Sequence, residues 1–215
     1  MPIRKSSIAE GEVYHLCSRS IAEYKIFNTE ADYVRLIDLI LFHSFEKESV
    51  NYSTLKELYQ NDLRQHLRAY CTNKIISLIA YCVMPTHVHF IIREIHIGGV
   101  AKFMMLLLQG YTKYFNALHK RKGPLWESRF TNVPIKSEEQ LMHTIRYVHL
   151  NPSTAYLVKN PIEWEYSSYR EYLGIIQKEH RLCDEIEYAG IEPTKYRQFV
   201  ESAIDLQRIY AQNKR

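Results

Sequence analysis

Two histidines in the run MPTHVHFII, His87 and His89, carry the strongest chemical signal in this 215-residue chain. Side chains alternate along an extended strand, so both imidazoles project from one face while Val88 and Phe90 point to the other. Paired imidazoles on an apolar strand make half a site for a divalent cation. The plainer alternative is two histidines facing solvent or satisfied in a polar cluster. A metallohydrolase built on HxH wants further Asp and His ligands just downstream, and Phe90, Ile91 and Ile92 stand there instead.

A second group lies in SEEQLMHTIRYVHLNP, where His143, Tyr147 and Asn151 are spaced i, i+4, i+8 and so share one helical face. A tyrosine with a neutral amide one turn away suits attack on phosphorus, the phenol as nucleophile and the amide oxygen as a further ligand to the same cation. A free phenol has a pKa of about 10, so attack at neutral pH needs electrostatic help. The structural alternative has Tyr147 packed on a sheet and Asn151 capping the helix.

The third feature is the stretch from Gln109 to Lys136. Lys113, Lys120, Arg121, Lys122, Arg129 and Lys136 face one acid, Glu127, a local +5 that exceeds the +4 of the whole chain. Tyr111, Tyr114, Phe115, Trp126 and Phe130 interleave with them. Cations meet phosphates and aromatics stack on unpaired bases in single-strand binders; a solvated helix face over core aromatics is the bland alternative. Trp164, Tyr166, Tyr169 and Tyr172 read as a structural lid.

The elements that must hold these groups follow from periodicity. Glu12 to Ser20 alternates as a strand, and Thr29 to Phe45 is helical with Thr29 as N-cap. Residues 46–74 read as a polar helical excursion. Ile75 to Val83 and His87 to Arg93 form a hairpin around Met84-Pro85-Thr86. A helix runs from Val100 to about His119 and breaks at Arg121-Lys122-Gly123-Pro124. Phe130 to Ile135 is a short strand that Pro134 confines to an edge or strand end. Ser137 opens the Tyr147 helix with Gln140 as capping-box partner, and Asn151-Pro152 is expected to close it. A helical tail starts near Thr194. The order β-α-β-β-α-β-α predicts an α+β fold, a central antiparallel sheet covered by helices.

Composition agrees with a globular chain of 46% hydrophobic residues and excludes an extended disordered one. Cys17, Cys71, Cys82 and Cys183 form no CxxC pair, which argues against a zinc site or a disulfide framework. No apolar leader and no run of 18 apolar residues is visible, so a cytoplasmic protein without membrane contact is expected. Residues 1–174 are expected to form the catalytic domain, with 46–74 inserted, and 175–215 a C-terminal helical extension.

The pieces together resemble a known family. YHLCSR at 14–19, VMPTHVHFII at 83–92, YTKYFNALHKRKGPLWESRF at 111–130, RYVHLNP at 146–152 and WEYSSYREYLG at 164–174 are similar, in order, to the motifs of HUH single-strand DNA transposases with one catalytic tyrosine. The likeness is closest to the REP-associated tyrosine branch of the IS200-like group. It implies a ferredoxin-like HUH nuclease arrangement, with His87 and His89 as the pair that binds Mg²⁺ or Mn²⁺. Tyr147 would be the nucleophile and Asn151 would stand at the third, amide-type ligand position. Lys113, Lys120, Arg121, Lys122, Trp126 and Arg129 would contact DNA. His143 matches no family residue and is an accessory candidate, orienting Tyr147 or a phosphate.

The activity so implied is cleavage and strand transfer of hairpin-bearing single-stranded DNA through a 5′-phosphotyrosine. Relatives include monomers and dimers with shared active sites, so a homodimer is among the forms implied. The competing expectations are a nucleic-acid-binding regulator on the same fold that no longer cuts, and a metal-dependent phosphodiesterase that uses water.

Overall fold

The structure, a computed structural model, describes residues 8–46, 51–59, 63–127, 130–184, 186 and 192–213. Strands β1 (Val13–Arg19), β2 (Ile76–Met84), β3 (His87–Glu94) and β4 (Thr131–Ile135) form one sheet in the order β2-β3-β1-β4. All neighbours are antiparallel. The helices are α1 (Glu30–His43), α2 (Tyr52–Tyr59), α3 (Leu63–Tyr70), α4 (Gly99–Leu118), α5 (Glu138–Thr154), α6 (Tyr169–Tyr172), α7 (Pro193–Glu201) and α8 (Ile204–Gln212). This is the α+β arrangement that the pattern predicts. The HxH strand is internal, and the proline-bearing β4 takes an edge, where a missing N–H costs no ladder bond.

The pleat divides the sheet into two faces with different work. Tyr14 and Leu16 of β1, Tyr81 and Val83 of β2, and Val88, Phe90 and Ile92 of β3 bury against α1 and α4 in the larger core. The intervening residues Val13, Cys82 and Ile91 meet Ile145 and Val148 of α5 and Tyr196 and Val200 of α7 in a second core. His15, Cys17 and Arg19 alternate with the first set, so they fall on the α5 side, as do His87 and His89.

Local chemistry sets the ends of the elements. Thr29 and Asp32 form a capping box at the start of α1. The fully buried Glu94 carboxylate accepts from the backbone N–H groups of Gly98 (2.5 Å) and Val100 (3.2 Å), capping α4. Position 99 admits only glycine, because a Cβ there would stand 2.2 Å from the Ile75 carbonyl oxygen. Ser137 Oγ accepts from Gln140 N–H (3.1 Å), while the Gln140 side chain reaches back to Lys136 N–H (2.8 Å).

One boundary differs from expectation. α5 does not stop at Asn151 but carries Pro152 inside its last turn, to Thr154. Pro152 removes one N–H donor. The turn persists because Leu150, Asn151, Pro152 and Ser153 are all buried, and because Ala155 N–H still bonds Asn151 O (2.9 Å) and Leu157 N–H bonds Pro152 O (3.0 Å). Tertiary burial outweighs a local preference.

The segment after α5 straps the outer edge of β2. Val83 N–H donates to Tyr166 O (2.8 Å), Ser168 N–H to Tyr81 O (3.0 Å), and the Trp164 indole to Val83 O (3.0 Å). α7 and α8 then pack against α5, with Tyr196 1% exposed in the shared core.

Candidate active site

β1 and β3 lie side by side with Cys17 opposite His89 and Arg19 opposite His87. That register sets three histidines together. His15 Nε2 is 3.0 Å from His89 Nδ1, and their rings stack with centroids 5.2 Å apart. The His87 ring meets the His89 ring edge-on at 4.9 Å. His87 Nδ1 is 2.9 Å from Thr86 Oγ1 in the hairpin turn.

α5 lays Tyr147 over this cluster. Its ring stands 5.9 Å from both the His15 and the His89 ring, edge-on to each. It is nevertheless 41% exposed, so one side of the phenol remains open to a ligand. Asn151, one turn on, is 8% exposed, and its amide Nδ2 is buried without a hydrogen-bond partner. An unsatisfied buried amide is uncommon, and this one is an N–H donor suited to an anionic or carbonyl oxygen.

The electrostatics follow from burial. Desolvation pushes His15 and His87 down to about 4, with the Arg19 charge adding to the effect on His87. Burial drives His89 well below the ordinary imidazole value, helped by His87, His15 and Arg19. All three rings are therefore neutral near pH 7 and keep a nitrogen lone pair. Burial raises the Tyr147 phenol above its ordinary value, Cys17 adds to this, and Arg19 opposes it. The Tyr147 phenol is thus protonated at rest, and Arg19 is the group favouring its anion.

Two neutral imidazole lone pairs fit a borderline divalent cation, and the Asn151 amide could add only its Oδ1 to that set, because the orphaned Nδ2 is an N–H donor. With Nδ1 of each ring engaged, the lone pair left for a cation is on Nε2. Among the described residues no three His, Cys, Asp or Glu side chains gather into a closed metal cage.

The other sequence candidates separate from this cluster. His143 accepts from Arg146 Nη2 at 2.9 Å and stands 4.0 Å from Glu139, so its contacts run along the outside of α5. Lys113, Lys120 and Lys122 are exposed. Arg121 is held within its own loop by Asn116 Oδ1 (2.9 Å) and Pro124 O (2.6 Å). Trp126 is 9% exposed, with its indole N–H on Leu108 O (3.1 Å), so the ring packs in the core. Arg129 lies outside the described residues. The basic loop is tied to the end of β1 and the turn after it: Ile21 N–H donates to Leu125 O (3.0 Å), and Glu127 N–H donates to Arg19 O (3.0 Å).

His15 and Arg19 carry no role in the sequence reading. The signal was present: His15, Cys17 and Arg19 share one strand face at period two, in a segment whose apolar positions mark the other. What was missing was the register that sets this face beside His87 and His89.

Residues 46–151 match the model of the family described as IS200-like transposases. A Haemophilus influenzae (strain ATCC 51907 / DSM 11121 / KW20 / Rd) protein described as a REP-associated tyrosine transposase is 23% identical over 121 residues, spanning 52% of this chain and 69% of that relative. The solved structure of a REP-associated tyrosine transposase bound to a REP hairpin shares the fold, with a TM-score of 0.54 at 16% identity, over 81% of this chain and 86% of that one. No helix among the described residues is long and apolar enough to cross a membrane. The family match spans His87, His89, Tyr147 and Asn151 over just under half of the chain, and with the shared fold the chain is similar to IS200-like transposases and to a REP-associated tyrosine transposase among them.

Proposed function

We propose that the protein cuts and rejoins single-stranded DNA bearing a hairpin, with Tyr147 as nucleophile. The observation that carries this reading is the half-exposed Tyr147 ring 5.9 Å from His89, on a sheet face where every histidine is neutral. A REP hairpin is what the structural relative holds, and a hairpin-bearing single strand is the matching substrate here.

Tyr147 Oη attacks the scissile phosphorus. A P–O bond to tyrosine forms as the bond to the 3′-oxygen breaks, and the departing oxygen takes up a proton to become a 3′-hydroxyl. The strand carrying the 5′-phosphate stays on Tyr147. A second 3′-hydroxyl reverses the step, so each phosphodiester is exchanged for another and no nucleotide cofactor is consumed. His87, His89 and Asn151 are the residues that would hold Mg²⁺ or Mn²⁺. Such a cation polarises the phosphate and offsets charge in the transition state. Arg19 lends positive charge to the developing phenolate. Lys120 and Lys122 hold flanking phosphates. Because Tyr147 meets the histidines of its own chain, one copy carries the whole constellation.

The test is a labelled single-stranded hairpin oligonucleotide incubated with Mn²⁺. A covalent adduct stable in denaturing gel supports the reading. A mobility shift without adduct identifies a non-cutting binder, and cleaved strands without adduct identify a phosphodiesterase that uses water.

A further inference from the structure

α8 is fastened to the turn of α5 that carries the nucleophile. Gln207 Nε2 donates to the Tyr147 carbonyl (3.3 Å) and to Thr154 Oγ1 (3.0 Å), and Arg208 Nε donates to Ser153 O (3.0 Å). Between the two helices lies a cleft of about 370 Å³, lined by Arg146, Tyr147 and Asn151 on one wall and Leu206 and Tyr210 on the other. That volume falls in the range of about 300–1,000 Å³ usual for small-ligand sites. The cleft is thus preformed, and Tyr147 is a wall it shares with the histidine cluster.

Its chemistry is that of a nucleotide seat. Tyr210 is 60% exposed and Leu206 is 50% exposed, so α8 offers an aromatic face and an apolar floor that the chain itself does not cover. Across from them stands the Arg146 guanidinium, steadied by His143 Nδ1 (2.9 Å) and by the Phe199 ring (4.4 Å to the centroid). Aromatic rings take bases by stacking, and fixed guanidinium groups take phosphates. A strand whose phosphate reaches Tyr147 must continue past that turn on one side.

We propose that the α5–α8 cleft seats the nucleotide that stays on Tyr147 through its 5′-phosphate, its base stacked on Tyr210 and its next phosphate against Arg146. This rests on Tyr147 as nucleophile. It makes the C-terminal helix part of the substrate site.

Single-stranded DNA substituted with 5-iodouracil, irradiated and mapped by mass spectrometry, should crosslink to residues 204–212. In the Tyr147→Phe background, Tyr210→Ala should weaken binding of the same DNA by about 5- to 100-fold, as expected for one lost stacking platform. Tyr210→Phe should restore it, with the melting temperature unchanged because the ring is exposed. Crosslinks confined to other segments, or Tyr210→Ala binding within twofold of its parent, would overturn the assignment even where wild type forms the adduct. Absence of any adduct in wild type would instead remove the nucleophile on which it stands.

Discussion

His15 Nε2 and His89 Nδ1 lie 3.0 Å apart across two neighbouring strands, so one proton is shared between the rings. Two assignments satisfy the bond. Only the one in which His89 donates from Nδ1 leaves its Nε2 free to ligate. On the proposed cation site His15 would act through His89, as a positioning residue. His15→Phe should lower Mn²⁺ affinity by about 10- to 100-fold, the usual cost of losing such an outer partner, while His15→Gln keeps an acceptor and retains most of it. Mn²⁺ titration followed by electron paramagnetic resonance measures the first effect. Imidazole ¹⁵N shifts of metal-free protein report the His89 tautomer, and an unchanged tautomer in His15→Phe would refute the role.

Tyr147→Phe should abolish the protein–DNA adduct while hairpin binding stays within about twofold, since only the attacking oxygen is lost. An adduct that survives this change, found by gel and by peptide mapping, would move the nucleophile elsewhere.

Arg19 opposes the burial that holds the Tyr147 phenol protonated. Arg19→Gln should slow adduct formation about 100-fold, in the range seen for loss of one preorganised charge-stabilising donor. The fall should be steepest at neutral pH and recover in part as pH rises toward the phenol's own range. A rate equal to wild type in single-turnover assays would exclude Arg19 from the step.

The basic loop contains two kinds of cation. Lys120→Ala and Lys122→Ala should each reduce the slope of log affinity against log salt by about 0.7, the signature of one phosphate contact to a single strand. Arg121→Ala should instead loosen the loop, because its guanidinium bonds Asn116 and Pro124. Fluorescence anisotropy across a salt series, with melting curves beside it, separates the two.

Buried histidines should make stability depend on pH. His149 is fully buried between Tyr196 Oη (2.6 Å) and Ser168 Oγ (2.7 Å), and burial pushes it down to about 3. His15 and His87 sit at about 4. Between about pH 6.5 and 4 the unfolded chain binds protons that the fold refuses, so stability falls as pH drops, by up to about 1.4 kcal/mol per pH unit for each group. His89, lowered further still, adds to the fall, and Glu171, raised by burial, opposes it as one group against four. Urea unfolding of metal-free protein at pH 7, 6, 5 and 4 tests this, and stability constant over that range would contradict it.

Much of the fold was legible in the chain because it rests on short-range periodicity. The alternation around His87 and His89, the 3.6-residue stripe of Leu141, Ile145 and Val148, and the proline that sends β4 to an edge are local facts about backbone geometry. The shared helical face of His143, Tyr147 and Asn151 was equally local, and all three line the α5–α8 cleft, though their individual contacts differ. His143 turns to Arg146, while Tyr147 faces the histidines.

What only the tertiary structure decided depends on register and on packing between distant elements. His15 is 74 residues from His89, and no local pattern says which strand pairs with which or at what offset. Trp126, which composition alone allows as a base platform, is drawn into the core by a hydrogen bond to Leu108. Pro152, a local stop signal, is overridden by burial of its turn. α8 reaches Tyr147 through Gln207, 60 residues away. Side-chain type and spacing determine which face a group shares; the free energy of burying one face against another determines what that face meets.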